Sequence, residues 1–198
     1  MKYRREYSRS AHRVVYGEHT FRSKLEAQWA VFMDALSIKY DYEPYSFLLD
    51  EGIGYCPDFW LPNYDSFLEI KPAGALAERE MEKALLWVEF NGDLVILEGF
   101  PIRKGHSLIG TNTRPVFTRD SIRWGECPRC RTIVLSDNGE PNCNCFDLEE
   151  LEDMFSGASP EVDFTKTTRL KEAYRIARKH SFTTRNRVLP LQTLMDFC

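Results

Sequence analysis

The sequence predicts an α/β fold, an α+β mixed sheet in the order helix, three strands, helix, strand. An apolar stripe at helical spacing, Leu25, Trp29, Phe32, Met33 and Leu36, runs through the segment that starts at Phe21. Three short strand-like segments separated by turn residues follow between Ile38 and Lys71. A second stripe, Ala77, Met81, Ala84, Leu85 and Val88, then leads into Leu94–Leu97, an apolar run of the kind found in buried strands. Short turns suit hairpins among the first three strands. A helical crossover sets the fourth parallel to its partner, so the sheet is mixed.

Taken in order, Ser23 with Glu26 three residues later fits a capping box. Glu26 thus has an ordinary role in capping its own helix. On the helical wheel it also sits beside Met33, at the margin of the stripe, placed to lean over the sheet. Gln28 faces away from the stripe. Ile38–Leu49 reads as the first strand, weakened by Pro44, and Glu51–Gly54 as a turn. Tyr55–Leu61 is the second strand, with Pro57 marking an edge or bulge because it cannot donate to a ladder. Pro62–Asp65 turns the chain into the third strand, Ser66–Lys71, stopped by Pro72. There Phe67, Glu69 and Lys71 share one face, and Leu68 and Ile70 the other. The second helix, Leu76–Phe90, closes at Asn91-Gly92. Residues 99–122, broken by glycines and Pro115, suggest one more strand at Val116–Thr118.

With 198 residues the chain can bury one sizeable core, or a domain with a small module. Hydrophobic residues at 43% and charged residues at 28% are ordinary globular usage and exclude the disordered class. The net charge of −4 is not that of a nucleic-acid binder, but it hides segregation. From Asp137 to Asp163 there are nine Asp or Glu and no Lys or Arg; from Lys166 to Arg187 there are eight Lys or Arg against one Glu. Residues 1–19 interleave Arg and Lys with tyrosines, as a solvated end or as an arm that touches phosphate. No apolar segment follows the basic start, and none approaches the ~18 residues of a membrane span. The expectation is a soluble, cytoplasmic protein with no membrane partner. Six cysteines in a reducing compartment point to metal or free thiols before disulfides.

The chemistry concentrates between Cys56 and Pro72. Glu69 and Lys71 lie two apart on a strand, and Asp58 lies on its neighbour. Hydrolysing a phosphodiester needs an activated water, an offset for the phosphate charge and a stabilised leaving oxygen. Hard divalent cations supply all three and take oxygen ligands. Asp58 and Glu69 would hold Mg2+ or Mn2+, with the Ile70 carbonyl as a third ligand and Glu26 adding a ligand or a base. Lys71 would orient or help deprotonate the water. Each residue alone has an ordinary reading, as a turn opener, a helix cap or a solvated strand face.

Pro57-Asp58, an eleven-residue step, then Glu69-Ile70-Lys71, with an acidic helix before and a helix–strand unit after, resembles the PD-(D/E)XK nuclease superfamily. The resemblance covers roughly residues 20–98. It implies a restriction-endonuclease-like αβββαβ core, catalytic Asp58, Glu69 and Lys71, magnesium or manganese, and DNA as the usual partner. In a subset the first helix adds a glutamate, a place that Glu26 would fill.

Cys127-x2-Cys130, twelve residues, then Cys143-x-Cys145 gives two thiolate pairs that suit tetrahedral zinc, with free thiols or an iron–sulfur site as the other readings. It resembles a zinc ribbon, with a C-x-C where C-x2-C is usual. Cys56 reads as core and Cys198 as a free thiol. Leu170, Ala173, Tyr174 and Ala177 make a last helical stripe, leaving Lys171, Arg175, Arg178 and Lys179 off it, either to meet phosphate or as a solvated face tied to the acidic stretch at 147–163. The acidic stretch at 147–163 would screen that basic segment until DNA arrives. The expected organisation is a nuclease domain at 1–122, a four-cysteine module at 123–148, and an acidic linker with a basic C-terminal helix at 149–198. The expected function is a metal-dependent DNA endonuclease. A non-catalytic nucleic-acid-binding or inhibitory protein on the same fold stays open, as does a nuclease for RNA or for branched or single-stranded DNA. Oligomeric state is open too, a homodimer included.

Overall fold

The computed structural model describes residues 13–49, 54–75, 78–91, 94–103, 106–111, 115–137, 143, 145 and 163–182. Among them are eleven strands and three helices. The N-terminal arm up to residue 12, the turn at 51–53, Asn138-Gly139, the acidic residues 147–162, and everything after Phe182, including Cys198, lie outside the described residues.

The chain opens with a hairpin, β1 (Val14–Tyr16) and β2 (His19–Phe21), that feeds helix α1 (Lys24–Ala35). Short strands follow: β3 (Asp41–Tyr42), β4 (Phe47–Leu48), β5 (Gly54–Tyr55) and β6 (Phe59–Leu61). Then come β7 (Ser66–Lys71), α2 (Glu78–Asn91), β8 (Leu94–Glu98), β9 (His106–Thr111), β10 (Pro115–Glu126) and β11 (Ile133–Asp137). A 3-10 turn at Phe164–Lys166 precedes helix α3 (Thr168–Lys179).

Seven strands form one mixed sheet in the order β11-β10-β9-β8-β7-β6-β3. Only β7 and β8, joined through α2, run parallel within it, as a helical crossover requires. The third and fourth expected strands are present. The first two are each split. Glu43, with φ +46°, and Pro44 interrupt the first, leaving β3 in the large sheet and β4 outside it. Pro57 interrupts the second, so β5 pairs with β4 while β6 pairs with β7. Residues 99–126 hold two long strands where the sequence suggested one short one. A bulge between Thr118 and Ile122 obscures their alternation. β10 runs unbroken through residue 122, and β11 adds the edge of the same sheet.

Two apolar layers clamp the sheet. Leu68, Ile70, Val95 and Leu97 pack with α1 on one face; Leu94 and Ile96 pack with Ala84, Trp87 and Val88 of α2 on the other. Helix α1 is buried at every position from Glu26 to Met33, including Gln28, because its second side is covered as well. There α3 lays Leu170, Ala173, Tyr174 and Ala177 against the same core. Phe32 sits at the centre, stacked on Tyr174 at 4.6 Å and edge-on to Trp29 and Trp124. His106 is buried against Trp29.

Truncating Phe32 removes a ring enclosed on all sides. Phe32→Ala should cost about 3–5 kcal/mol, read from the urea midpoint at unchanged slope. A loss below about 1 kcal/mol would show that the α1–α3 seam repacks freely.

Candidate functional site

The C-terminal ends of β7 and β8, the start of β6 and the end of β3 share one end of the sheet. Asp58, Glu69 and Lys71 meet there. Asp58 stands at the bend before β6, and its Oδ2 accepts the Ile70 N–H at 2.7 Å. The β6–β7 ladder ends at Phe59 and Leu68. A side-chain carboxylate therefore satisfies the next inward amide of β7. Ile70 takes part through that amide.

Glu69 Oε1 holds the Lys71 ammonium at 2.8 Å, whereas Glu69 Oε2, just as buried, has no hydrogen-bond partner. Lys71 is also 2.8 Å from Glu80 Oε2 on α2. Burial opposes the lysine's charge, but Glu69 and Glu80 outweigh it and hold the ammonium above its ordinary pKa. The backbone of Lys71 is fixed by Gly99, whose N–H donates to its carbonyl at 2.7 Å and whose own carbonyl accepts from Trp29 Nε1 at 3.0 Å. Gly99 has φ +73°, and a Cβ there would stand 3.2 Å from that of Ala73, so glycine suits this crossing.

Glu26, Asp58 and Glu69 are only 8%, 7% and 4% exposed. Asp58 is pushed well above the ordinary carboxylate range, by burial first and then by Glu69 and Glu26; the Ile70 amide and Lys71 offset this only in part.

Glu26 is engaged on both oxygens. Oε1 accepts from Ser23 Oγ at 2.7 Å; Oε2 accepts from Tyr42 Oη at 2.6 Å and from the Arg22 N–H at 3.1 Å. Ser23 returns the bond by accepting the Glu26 N–H, so the capping role is present. Alternation places Glu69 and Lys71 on the α2 face of the sheet, while Glu26 descends from the α1 face; Asp58 lies between them at the sheet's end. Among the described residues, the three carboxylates do not form a set close enough to share an ion as the cysteines do. Sequence reasoning missed Arg22, Tyr42, Glu43 and Glu80. Arg22 Nε pairs with Glu43 Oε1 at 2.6 Å, and the Glu43 N–H donates to the Asp58 carbonyl at 2.9 Å. The one local signal was Arg22-Ser23 ahead of the cap and Glu43-Pro44 where the first strand breaks. A surface cleft of about 540 Å3, lined by residues such as His19, Asp34, Tyr40 and Pro62, lies toward the other end of β6 and includes none of these carboxylates.

The second candidate site follows β10. The sulfurs of Cys127, Cys130, Cys143 and Cys145 all lie within 4.8 Å of one another, a set that can hold a metal ion such as zinc. A tetrahedron with Zn–S of about 2.3 Å has sulfurs about 3.8 Å apart, so little movement is required. The Cys127–Arg131 knuckle is closed by the Arg131 N–H donating to the Cys127 carbonyl at 2.9 Å, and the Cys127 N–H donates to Thr132 O. Donors from Thr132 lower the Cys130 thiol to about 6, which favours the ligating thiolate. Arg131, at φ +64°, occupies a conformation that suits glycine. Its guanidinium pairs at 3.0 Å with Glu126, a carboxylate with no solvent exposure. Arg169 of α3 joins this centre, donating to the carbonyls of Arg131 at 3.0 Å and Leu36 at 2.7 Å.

Lys171, Arg175, Arg178 and Lys179 all lie on the exposed side of α3, and Arg175 is paired there with Glu172. Cys56 is buried. No described helix is long and apolar enough to cross a membrane. No model of a known protein family matches the chain, and no curated protein is significantly similar to it.

Two outcomes follow from this geometry. Asp58→Asn removes a repelled charge while keeping an acceptor for Ile70, so it should stabilise the protein by on the order of 1 kcal/mol, about 2–4 °C of Tm. Thermal unfolding without magnesium checks this, and a lowered Tm would show that the carboxylate is stabilising as it stands. Elemental analysis should find zinc, and Cys127→Ser should remove it and lower Tm by about 5–10 °C. An unchanged Tm would show that the knuckle contributes nothing to the fold.

Proposed function

We propose that the chain is a metal-dependent nuclease hydrolysing phosphodiester bonds in DNA, built on a restriction-endonuclease-like core from α1 to β8. The observation that carries this is a pair of buried carboxylates beside Lys71, Asp58 at the bend that opens β6 and Glu69 on β7. One of their oxygens, Glu69 Oε2, has no donor, and Asp58 is held against ionisation by burial and then by Glu69 and Glu26. Such an arrangement is costly as it stands, and a cation relieves it. The donor set is hard oxygen, which fits Mg2+ or Mn2+. Asp58 and Glu69 would hold the ion, with the Ile70 carbonyl within the same strand segment. When bound, it supplies an activated water and charge to offset the phosphate.

The chain's own residues do the rest. Lys71 presents a positive charge beside Glu69, where it attracts the phosphate and orients a water. Glu26, held by Tyr42 and Ser23, adds negative charge that strengthens cation binding at Asp58. The four-cysteine centre takes zinc and anchors α3 to the sheet through Arg131, Glu126 and Arg169. The exposed basic side of α3 then contacts the DNA backbone, a sequence-independent, salt-dependent interaction. Glu26's full set of internal partners favours a second reading, a protein on the same fold that binds nucleic acid without cutting it.

Plasmid, linear duplex, single-stranded and branched DNA incubated with Mg2+ or Mn2+ separate these readings. Cutting should require the metal and fall by about 10²-fold or more in Lys71→Ala and in Asp58→Ala. Cutting that survives both substitutions removes the catalytic assignment. DNA retained but left whole by the wild type supports the second reading.

A further inference from the structure

Lys71 has two carboxylate partners at equal distance. Glu69 Oε1 and Glu80 Oε2 each stand 2.8 Å from its Nζ. Glu80 is held in turn, because its other oxygen, Oε1, is 3.3 Å from Lys83 Nζ one turn along α2. Each Glu80 oxygen thus takes one lysine, which fixes the carboxylate's orientation. On the far side of the ammonium, Glu69 uses one oxygen and leaves Oε2 without a partner.

An ammonium has three donors and no preferred plane. With Glu69 as its sole neighbour, Lys71 would settle across both carboxylate oxygens. It would then act as an internal cation competing with any metal. The pull from Glu80 prevents this. It keeps the ammonium on the Oε1 side, with two carboxylates sharing one positive charge.

We infer that Glu80 is a positioning residue that holds the Lys71 ammonium partly off Glu69 and so keeps Glu69 open to a divalent cation. This rests on the proposed metal site at Asp58 and Glu69 and adds the residue that sets its affinity. Glu80 touches neither the ion nor the scissile bond; it acts through Lys71. The sequence gives no sign of it, since Glu80 lies nine residues past Lys71 on another element.

The test is Mn2+ binding to the zinc-loaded protein, followed by the electron paramagnetic resonance signal of the free ion, with no DNA present. Glu80→Ala should weaken binding about tenfold, the size of a typical coupling between contacting groups. Glu80→Gln, which keeps an acceptor for Lys71, should recover part of that loss. Lys71→Ala removes the competitor and should bind Mn2+ at least as tightly as the wild type. In the Lys71→Ala background, Glu80→Ala should change the affinity by no more than about twofold. A tenfold loss that persists there would make Glu80 a source of general field, and the inference would fall. So it would if Glu80→Ala left Mn2+ binding unchanged in a wild type that binds the ion through Asp58 and Glu69. A wild type that binds no Mn2+ would overturn the metal site itself, and this inference with it. Circular dichroism and Tm of each variant separate these outcomes from misfolding.

Discussion

The hydrogen bond from the Ile70 amide to Asp58 is the constraint around which this end of the molecule is arranged. A buried amide must find an acceptor, and β6 has stopped supplying backbone carbonyls by Phe59. Asp58 fills the gap. Doing so turns its carboxylate inward, away from water and toward Glu69. The electrostatic tension of the site therefore follows from how the sheet is terminated. A proline that breaks a strand, an aspartate that repairs the ladder and a glutamate on the next strand are parts of one local solution. Gly99 and Trp29 add the other half by pinning the Lys71 backbone from the β8 side.

Much of this was legible in the residues. The helix start at Ser23, the strand Ser66–Lys71 and the parallel β8 each carried a strong local pattern: a cap, an alternation bounded by a turn and a proline, an apolar run after a helix. The alternation also put Glu69 and Lys71 together. The failures have physical causes. Pro44 and Pro57 divide what read as single strands, because each lacks the N–H that a continuous ladder uses. The long β9–β10 hairpin was missed because a bulge spoils its period. Gln28 looked peripheral on a helix with one apolar stripe, but a stripe does not report what other elements pack against the helix. The cover that α3 adds to α1 comes from residues about 140 positions later in the chain. Tyr42 and Glu43, at the end of β3, and Glu80, on α2, reach the site from segments far apart in the chain, and no spacing in one segment encodes that convergence.

The cysteine centre continues the sheet. Glu126 ends β10, and Cys127 begins the knuckle one residue later, both fully enclosed. The carboxylate there is balanced by Arg131 from the knuckle, with Arg169 from α3 close by. A buried charge with its counter-ions on two other elements specifies how those elements dock more than it adds net stability. Arg169 extends the same arrangement to the last turn of α1 by taking the Leu36 carbonyl, one of the groups a helix end leaves unsatisfied.

The cover that α3 lays over α1 also bears on the order of assembly. The sheet's inner strands and α1 are synthesised long before Leu170, Tyr174 and Ala177 leave the ribosome. Until then Phe32 and its neighbours present a ring-rich surface to solvent on one side of an otherwise finished helix. Completion of the core is a late, long-range event. Apolar surface left open in this way while a chain is still growing is the kind that favours aggregation.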